Sequence, residues 1–180
     1  MPTLYLTRHA TPDWARTDIP YFTPPGPPLT PQGEDEAREL GAFLREAGVQ
    51  QVWASPMERA QRTAQLAAEI IGIPFSLEPG IIEWTPGEKD EAVRARMWPV
   101  WERACQHNAV ALITHGGPIT TLLAALGLER AVIDHYKTLF DNRNPVPVAG
   151  VWRAEQATAG APWQLTLAFV PEAYRKQLFT

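Results

Sequence analysis

Cysteine is almost absent from the chain, in which Cys105 is the only one. A single thiol cannot form a disulfide within the chain, and it cannot build a cysteine-based zinc cage. Chains without disulfides are typical of reducing compartments, so we expect a cytoplasmic protein.

Long apolar runs and basic clusters are also lacking. No stretch approaches the roughly 18 consecutive apolar residues of a membrane-spanning helix, and the first residues have no basic segment of a secretory leader. Acidic residues (20) outnumber basic ones (16), which leaves a net charge of -4. We therefore expect neither a membrane nor a nucleic acid as partner, but a small molecule or a protein side chain. No sequence feature indicates an oligomeric state.

The length of 180 residues suits one domain over residues 1–180. Strand-like and helical segments alternate along it, which predicts an α/β fold with three α/β/α layers and a mostly parallel central sheet. The expected strands are 4–7, 49–54, 75–77 and 109–114, and the expected helices are 31–47, 55–70, 88–106 (interrupted near Pro99) and 119–126. Two further strand-like segments, 148–153 and 164–170, form a hairpin or extend the sheet edge.

The segment 10–31 is expected to be a long loop, because its prolines exclude regular structure. These are Pro12, Pro20, Pro24, Pro25, Pro27, Pro28 and Pro31. Thr30 is placed to cap the helix that follows, and Ser55 is placed to cap the next one.

Charged and titratable side chains follow three of the expected strands. Arg8 and His9 come directly after the first, His115 follows the strand at 109–114, and Arg59 lies in the first turn of the helix after the second. The carboxyl ends of parallel strands meet at one edge of a sheet, so these side chains are expected to converge on one crevice.

Four short patterns surround these residues. Residues 6–10 read Leu-Thr-Arg-His-Ala, and residues 113–116 read Ile-Thr-His-Gly. Between them, residues 28–33 read Pro-Leu-Thr-Pro-Gln-Gly and residues 55–64 read Ser-Pro-Met-Glu-Arg-Ala-Gln-Arg-Thr-Ala. The set resembles the histidine phosphatase superfamily, the phosphoglycerate mutase-like proteins, over roughly the first two-thirds of the chain.

The resemblance implies a phosphomonoester hydrolase in which His9 attacks the phosphorus and carries a phosphohistidine. A phosphoryl group in transfer spreads charge over three oxygens, and Arg8 and Arg59 suit it because a guanidinium stays charged. His115 would donate to a phosphate oxygen, and Gly116 would expose its backbone N–H at a helix start, where anions are favoured. The substrate would be a small phosphorylated molecule or a phosphoprotein.

A proton donor for the leaving oxygen is expected in residues 81–88. The family has its donor in a similar Glu-x-x-x-Gly segment, which corresponds here to Glu83, although Glu88 is close enough to substitute. No group of carboxylates or thiolates with metal-ligand spacing accompanies the two histidines, so we expect no metal and no cofactor.

Some positions depart from the family pattern or have other readings. The usual Gly, Thr and Asn of the first motif are Ala10, Pro12 and Ala15 here, while Trp14 matches. Arg8 could instead pair with an acid such as Glu34. Arg59 could be a solvated helix residue, and Asn142, Arg143 and Asn144 read equally well as a polar turn or as a pocket closure.

Two other functions stay open. A phosphoglycerate-mutase-type phosphotransferase shares the same chemistry, but the short interval 83–109 leaves little room for the larger cap of mutase-like relatives. A non-catalytic module that binds phosphorylated ligands would keep the pocket, but it would have no need for an intact His9.

Overall fold

One mixed sheet with helices on both faces organises the computed structural model, which describes residues 1–141 and 143–179. Its strands are β1 (Thr3–Arg8), β2 (Gln51–Ala54), β3 (Phe75–Leu77), β4 (Val110–Thr114), β5 (Val151–Glu155) and β6 (Gln164–Phe169). The α-helices are α1 (Pro31–Glu46), α2 (Glu58–Ile71), α3 (Asp90–Ala104), α4 (Gly116–Ala125), α5 (Arg130–Leu139) and α6 (Glu172–Arg175), and 3-10 turns span Pro79–Ile81 and Lys176–Phe179.

The strand order β3-β2-β4-β1-β5-β6 puts β4 and β1 in the middle of the sheet. The four strands β3, β2, β4 and β1 run parallel, whereas β5 pairs antiparallel with β1 and β6 pairs antiparallel with β5. Both readings of the last two strands are therefore correct, since they form a hairpin that also extends the sheet edge. The expected mostly parallel sheet is confirmed.

The central strands are buried on both faces, which explains their continuous apolar sequences. Leu4 and Leu112 face the layer formed by α3, α4 and α5, and Tyr5 and Ile113 face the layer formed by α1 and α2. The expected three-layer α/β/α arrangement is confirmed, and it leaves the carboxyl ends of the parallel strands as an open edge.

The expected helices occur with small changes. Thr30 caps α1 as expected, because its hydroxyl accepts the backbone N–H of Gly33 at 3.0 Å.

The expected interruption of α3 at Pro99 is wrong, because the helix continues through this residue. Pro99 is on the exposed face, where water can satisfy the carbonyl that a proline leaves unbonded. Helix α5 is an addition to the expected elements, and it contributes Ile133 as its buried residue. None of the described helices is long and apolar enough to cross a membrane.

Truncation of a core leucine in β4 should destabilise the protein far more than the same change at the sheet edge. Leu112 is fully buried in the middle of the sheet, while Leu167 in β6 is only partly buried. We expect Leu112→Ala to lower the free energy of unfolding by about 2 to 5 kcal/mol, and Leu167→Ala by clearly less, in urea denaturation. Equal losses would contradict the described core.

Candidate active site

The expected catalytic residues meet at the carboxyl edge of the sheet. His9 follows β1, His115 follows β4, and Arg59 lies in the first turn of α2, which begins just after β2. All three side chains are buried, and the two imidazole rings are 5.1 Å apart between centroids. Parallel strands and the helix that follows β2 thus bring residues separated by more than 100 positions into one cluster.

The ring of His9 is fixed by hydrogen bonds at both nitrogens. Its Nδ1 lies 2.8 Å from the carbonyl oxygen of Ala10, and its Nε2 lies 3.2 Å from the Arg59 Nε–H. A carbonyl only accepts, so the neutral ring carries its proton on Nδ1 and directs the Nε2 lone pair toward Arg59. Burial, then the charges of Arg59 and Arg8, hold the pKa of His9 well below its usual value. His9 is therefore a neutral imidazole near pH 7.

Arg59 joins the separate parts of the site. Its Nε donates to His9, its Nη1 donates to the carbonyl of Tyr21 at 3.0 Å, and its Nη2 donates to Oε2 of Glu83 at 3.2 Å. The guanidinium also lies over the Tyr21 ring at 4.1 Å, and the side chain is fully buried. The reading of Arg59 as a solvated helix residue is excluded by this burial.

Arg8 has a partner that the sequence did not indicate. Its Nη1 donates to Oδ2 of Asp141 at 2.9 Å and to the carbonyl of Val146 at 3.0 Å, whereas Glu34 pairs with Arg62. The Nε of Arg8 is buried and has no hydrogen-bond partner among the described residues. The Arg8 guanidinium thus keeps hydrogen-bonding capacity that the described residues do not use.

Glu83 lies inside the cluster, while Glu88 does not. The Oε1 of Glu83 accepts the backbone N–H of Trp84 at 2.9 Å, and its Oε2 accepts from Arg59. Burial raises the pKa of Glu83, and the opposing effects of the Trp84 N–H and of Arg59 do not cancel the rise. A raised pKa favours the protonated carboxyl that a general acid needs.

Glu88 holds the loop that carries Glu83. Its carboxylate pairs with Arg96, and the hydrogen bond from Arg96 lowers the pKa of Glu88. Arg96 also donates to the carbonyls of Gly80 and Glu83, at 3.0 and 3.3 Å. Geometry and ionisation therefore favour Glu83 over Glu88 as the proton donor.

The two ring nitrogens of His115 are both buried, but they differ in their hydrogen bonds. Its Nε2 lies 2.7 Å from the hydroxyl of Ser55. Its Nδ1 is buried 3.3 Å from Oε2 of Glu83 but makes no hydrogen bond within the described part of the chain. Burial, then His9 and Arg59, keep the pKa of His115 well below its usual value. The N-cap of α2 is Met57 and not Ser55 as expected, but the Ser55 hydroxyl accepts the backbone N–H of Met57 at 3.3 Å and also contacts His115.

The start of α4 is closed by a residue from the turn after α5. A Cβ on Gly116 would lie 1.8 Å from Oδ1 of Asn144, so only glycine allows Asn144 to pack there. Asn144 in turn donates to Asp141, which joins this turn to Arg8. Burial raises the pKa of Asp141, but Arg8 and the Asn144 hydrogen bonds more than offset it and leave that pKa lowered. Asn142 lies outside the described residues.

An open cavity of about 710 Å³ gives access to the cluster. Its buried lining includes Arg8, His9 and Glu83, and its mouth, the more exposed part of the lining, has Asp141, Arg143, Asn144 and four aromatic rings. The rings are Trp14, Tyr21, Phe22 and Trp84. Tyr21 and Phe22 had no detectable signal, because they lie in the proline-rich loop, where no periodicity indicates which side chains point inward.

The cluster fits an anion better than a metal ion. His9, Glu83 and His115 offer ligand atoms within 4.8 Å of one another, which is close enough to hold a cation. However, the guanidinium of Arg59 already faces Nε2 of His9 and Oε2 of Glu83. A cation bound there would be repelled by Arg59 and by nearby Arg8, whereas a phosphoryl group would be attracted.

Comparison with known proteins bears on the family and on the fold of the chain. The family model of the histidine phosphatase superfamily (branch 1) matches residues 4–88 and 84–143. The uncharacterized phosphatase PhoE of Bacillus subtilis (strain 168) is 32% identical over 82 residues, which cover 42% of this chain and 38% of PhoE. The probable phosphoglycerate mutase GpmB of Enterobacter sp. (strain 638) is 31% identical over 84 residues, which cover 47% of this chain and 39% of GpmB. The matched region thus spans about two-fifths of these relatives.

A solved structure shares nearly the whole fold. The mycobacterial glucosyl-3-phosphoglycerate phosphatase in complex with VO3 superposes with a TM-score of 0.72 at 18% sequence identity. The superposition covers 95% of this chain and 99% of that chain. At this identity, the likeness shows a common fold.

The lowered pKa of His9 predicts that acid destabilises the protein. A neutral buried imidazole gains a proton on unfolding below its unfolded pKa of about 6.5, so the free energy of unfolding falls as pH falls through that value. The raised pKa of Glu83 acts in the opposite direction. Between about pH 7.5 and 5.5, His9→Gln should remove about 1 kcal/mol of the fall, as measured by urea denaturation at each pH.

His107 is exposed and provides the matched control for this measurement. The change in pH dependence on His9→Gln should exceed the change on His107→Gln. If His9→Gln and His107→Gln behave alike, His9 is not held neutral in the folded state.

Proposed function

The chain belongs to the histidine phosphatase superfamily, and on that premise we propose that it is a phosphomonoester hydrolase that works through a phosphohistidine on His9. The single observation that carries the proposal is the orientation of His9. Its Nδ1 faces the carbonyl of Ala10, so the Nε2 lone pair faces the donors of Arg59 at the place where a phosphoryl group would be held. A neutral, fixed and cation-flanked imidazole is a competent nucleophile.

In the first half-reaction, Arg8, Arg59 and the N–H of Gly116 hold the phosphoryl oxygens, and the open Nδ1 of His115 donates to one of them. The Nε2 of His9 attacks the phosphorus, and the bond between phosphorus and the alcohol oxygen breaks. Glu83 gives its proton to that oxygen, so the alcohol leaves neutral. The charge on the three equatorial oxygens is stabilised by fixed donors that need no rearrangement.

In the second half-reaction, water replaces the alcohol. The carboxylate of Glu83 accepts a proton from the water, which attacks the phosphorus and breaks the bond to His9. Inorganic phosphate leaves, His9 regains its lone pair and Glu83 regains its proton. We propose that this cycle needs neither a metal nor a cofactor, because Arg8 and Arg59 supply the positive charge.

The described segment between Glu83 and β4 is short and contains no large cap, which favours hydrolysis over phosphotransfer. Within that interval the chain forms a short loop and then α3, with Arg96 holding the loop closed against Glu88. A mutase must retain its substrate between two transfers, which a cavity open at its mouth does not favour. A purely binding module would not need the raised pKa of Glu83.

The partner is proposed to be a phosphorylated molecule and neither a nucleic acid nor a membrane, in the cytoplasm. The names of similar proteins point to different reactions, since one is a glucosyl-3-phosphoglycerate phosphatase and another a probable phosphoglycerate mutase. The choice of substrate therefore has to come from the cavity of this chain.

Phosphorylation of His9 can be tested by trapping. With a ³²P-labelled phosphomonoester, an alkaline quench should retain label on the protein, and the label should be lost in acid because phosphohistidine is acid-labile. Trapping should succeed equally in excess EDTA if no metal takes part. His9→Ala should carry no label, whereas His107→Ala should be labelled like the parent protein. Label that persists in His9→Ala would refute the assignment.

Replacement of Glu83 should matter in proportion to the basicity of the leaving group. We expect Glu83→Gln to slow phosphoenzyme formation from an alkyl phosphate by roughly 10²- to 10⁴-fold, and from nitrophenyl phosphate by far less, since nitrophenolate leaves without a proton. Glu88→Gln is the matched control and should show no such dependence on the leaving group. Equal slowing of both substrates by Glu83→Gln would leave Glu83 with a positioning role only.

A further inference from the structure

Three large aromatic side chains are exposed at the mouth of the cavity. Trp14 is 56% exposed, Phe22 is 43% exposed and Trp84 is 40% exposed, and all three line the same opening. Single exposed apolar residues are normal, but several around one opening indicate a surface that binds something apolar. We call Trp14, Tyr21, Phe22 and Trp84 the aromatic collar.

One side of the collar is fixed by the catalytic cluster itself. Arg59 donates to the carbonyl of Tyr21 and stacks on its ring, and the Tyr21 and Phe22 rings meet edge to face at 5.1 Å. A Cβ on Gly26 would lie 2.7 Å from Nη1 of Arg59, so the loop is packed directly on the guanidinium. This side of the collar is thus pre-organised, and a ring that packs against it costs little free energy for ordering Tyr21 and Phe22.

The other side of the collar lies next to the proposed proton donor. Trp84 directly follows Glu83, and its backbone N–H donates to the Glu83 carboxyl. A Cβ on Gly117 would lie 3.8 Å both from Oε1 of Glu83 and from Cβ of Trp84, so the two side chains border the same space. Because Glu83 must reach the leaving oxygen, the alcohol attached to that oxygen has to lie against Trp84.

The polar side chains in the more exposed part of the lining are Asp141, Arg143 and Asn144, and two of them, Asp141 and Asn144, bond to each other. Asp141 is paired with Arg8 and accepts from the backbone of Arg143 and Asn144. A compact sugar or glycerate needs many hydrogen-bond partners to replace water, whereas a planar ring needs flat apolar surfaces. The cavity of about 710 Å³ has the size of a small-molecule site.

We propose that the substrate is a small phosphomonoester whose alcohol carries a planar aromatic ring, with the ring held in the aromatic collar and the ester oxygen beside Glu83. Nucleoside 5′-monophosphates and arylalkyl phosphates have this form. The inference rests on the proposed phosphatase function and specifies its substrate class.

The test compares two substrates whose leaving groups are both primary alcohols. Adenosine 5′-monophosphate and ribose 5-phosphate both release a primary alcohol, so they differ chiefly in the ring. We expect kcat/KM to be about 10- to 100-fold higher for adenosine 5′-monophosphate. Stacking of a base on aromatic side chains contributes binding free energy that corresponds to a ratio of this size. Release of inorganic phosphate measures both reactions.

Variants then connect the preference to the collar. Trp84→Ala should reduce the ratio of the two kcat/KM values toward one, and Trp84→Phe should restore most of it because a flat ring is retained. Trp98 is the matched control: it is 36% exposed on α3, bonds to Glu102 and lies outside the residues that line the cavity. Trp98→Ala should leave the ratio unchanged.

The outcomes separate the two proposals. If neither these substrates nor nitrophenyl phosphate is hydrolysed, the proposed function fails. If hydrolysis occurs but the ratio is near one or below, the substrate class is wrong and the function stands. A high ratio that survives Trp84→Ala would also overturn the inference, as would faster turnover of a phosphohistidine protein than of both small substrates.

Discussion

The guanidinium of Arg59 is a permanent cation that lies entirely out of water, and the rest of the site depends on it. A buried charge costs several kcal/mol unless its donors are paired. Here three elements supply the partners: His9 after β1, Tyr21 in the proline-rich loop and Glu83 after the Pro79–Ile81 turn. Because a lysine ammonium lacks the planar fork that points in three directions, arginine is required to hold all three together. The charge of Arg59, which orders the proline-rich loop, therefore also helps to keep His9, the proposed nucleophile, neutral.

Two opposing effects set the ionisation of the cluster. Burial alone would keep every group neutral, while Arg8 and Arg59 favour negative charge and oppose positive charge. For His9 both effects lower the pKa, so no conflict arises. For Glu83 they compete, and burial is the larger, which leaves a carboxyl that exchanges its proton more readily near neutral pH than an exposed one. One common environment can thus favour a neutral imidazole at His9, the proposed nucleophile, and a protonated carboxyl at Glu83, the proposed proton donor.

The parts of this arrangement that could be predicted from sequence are those that follow from strand ends. His9 and His115 follow apolar strands, and the carboxyl ends of parallel strands must meet, so their proximity follows from alternation of strands and helices alone. Asp141 and Tyr21 could not be predicted, because their contacts are made by loops whose paths are set by distant partners. Ser55 shows a third case, since its type and position indicate a contact at the helix start, which it makes with the Met57 N–H, but not its second contact, with His115.

The departures from the family's first motif are balanced by donors that the cluster leaves open. Ala15 stands where an asparagine would bond phosphate, which removes one hydrogen bond of about 1 kcal/mol or somewhat more to a charged oxygen. The buried Nε of Arg8 and Nδ1 of His115 have no hydrogen-bond partner among the described residues. A buried donor without a partner costs about 1 to 3 kcal/mol, and a phosphoryl oxygen that pairs with it recovers that cost. In the proposed function, a phosphoryl group would draw binding free energy from groups that the fold leaves unsatisfied, and the loss at Ala15 would weaken the phosphate site without removing it.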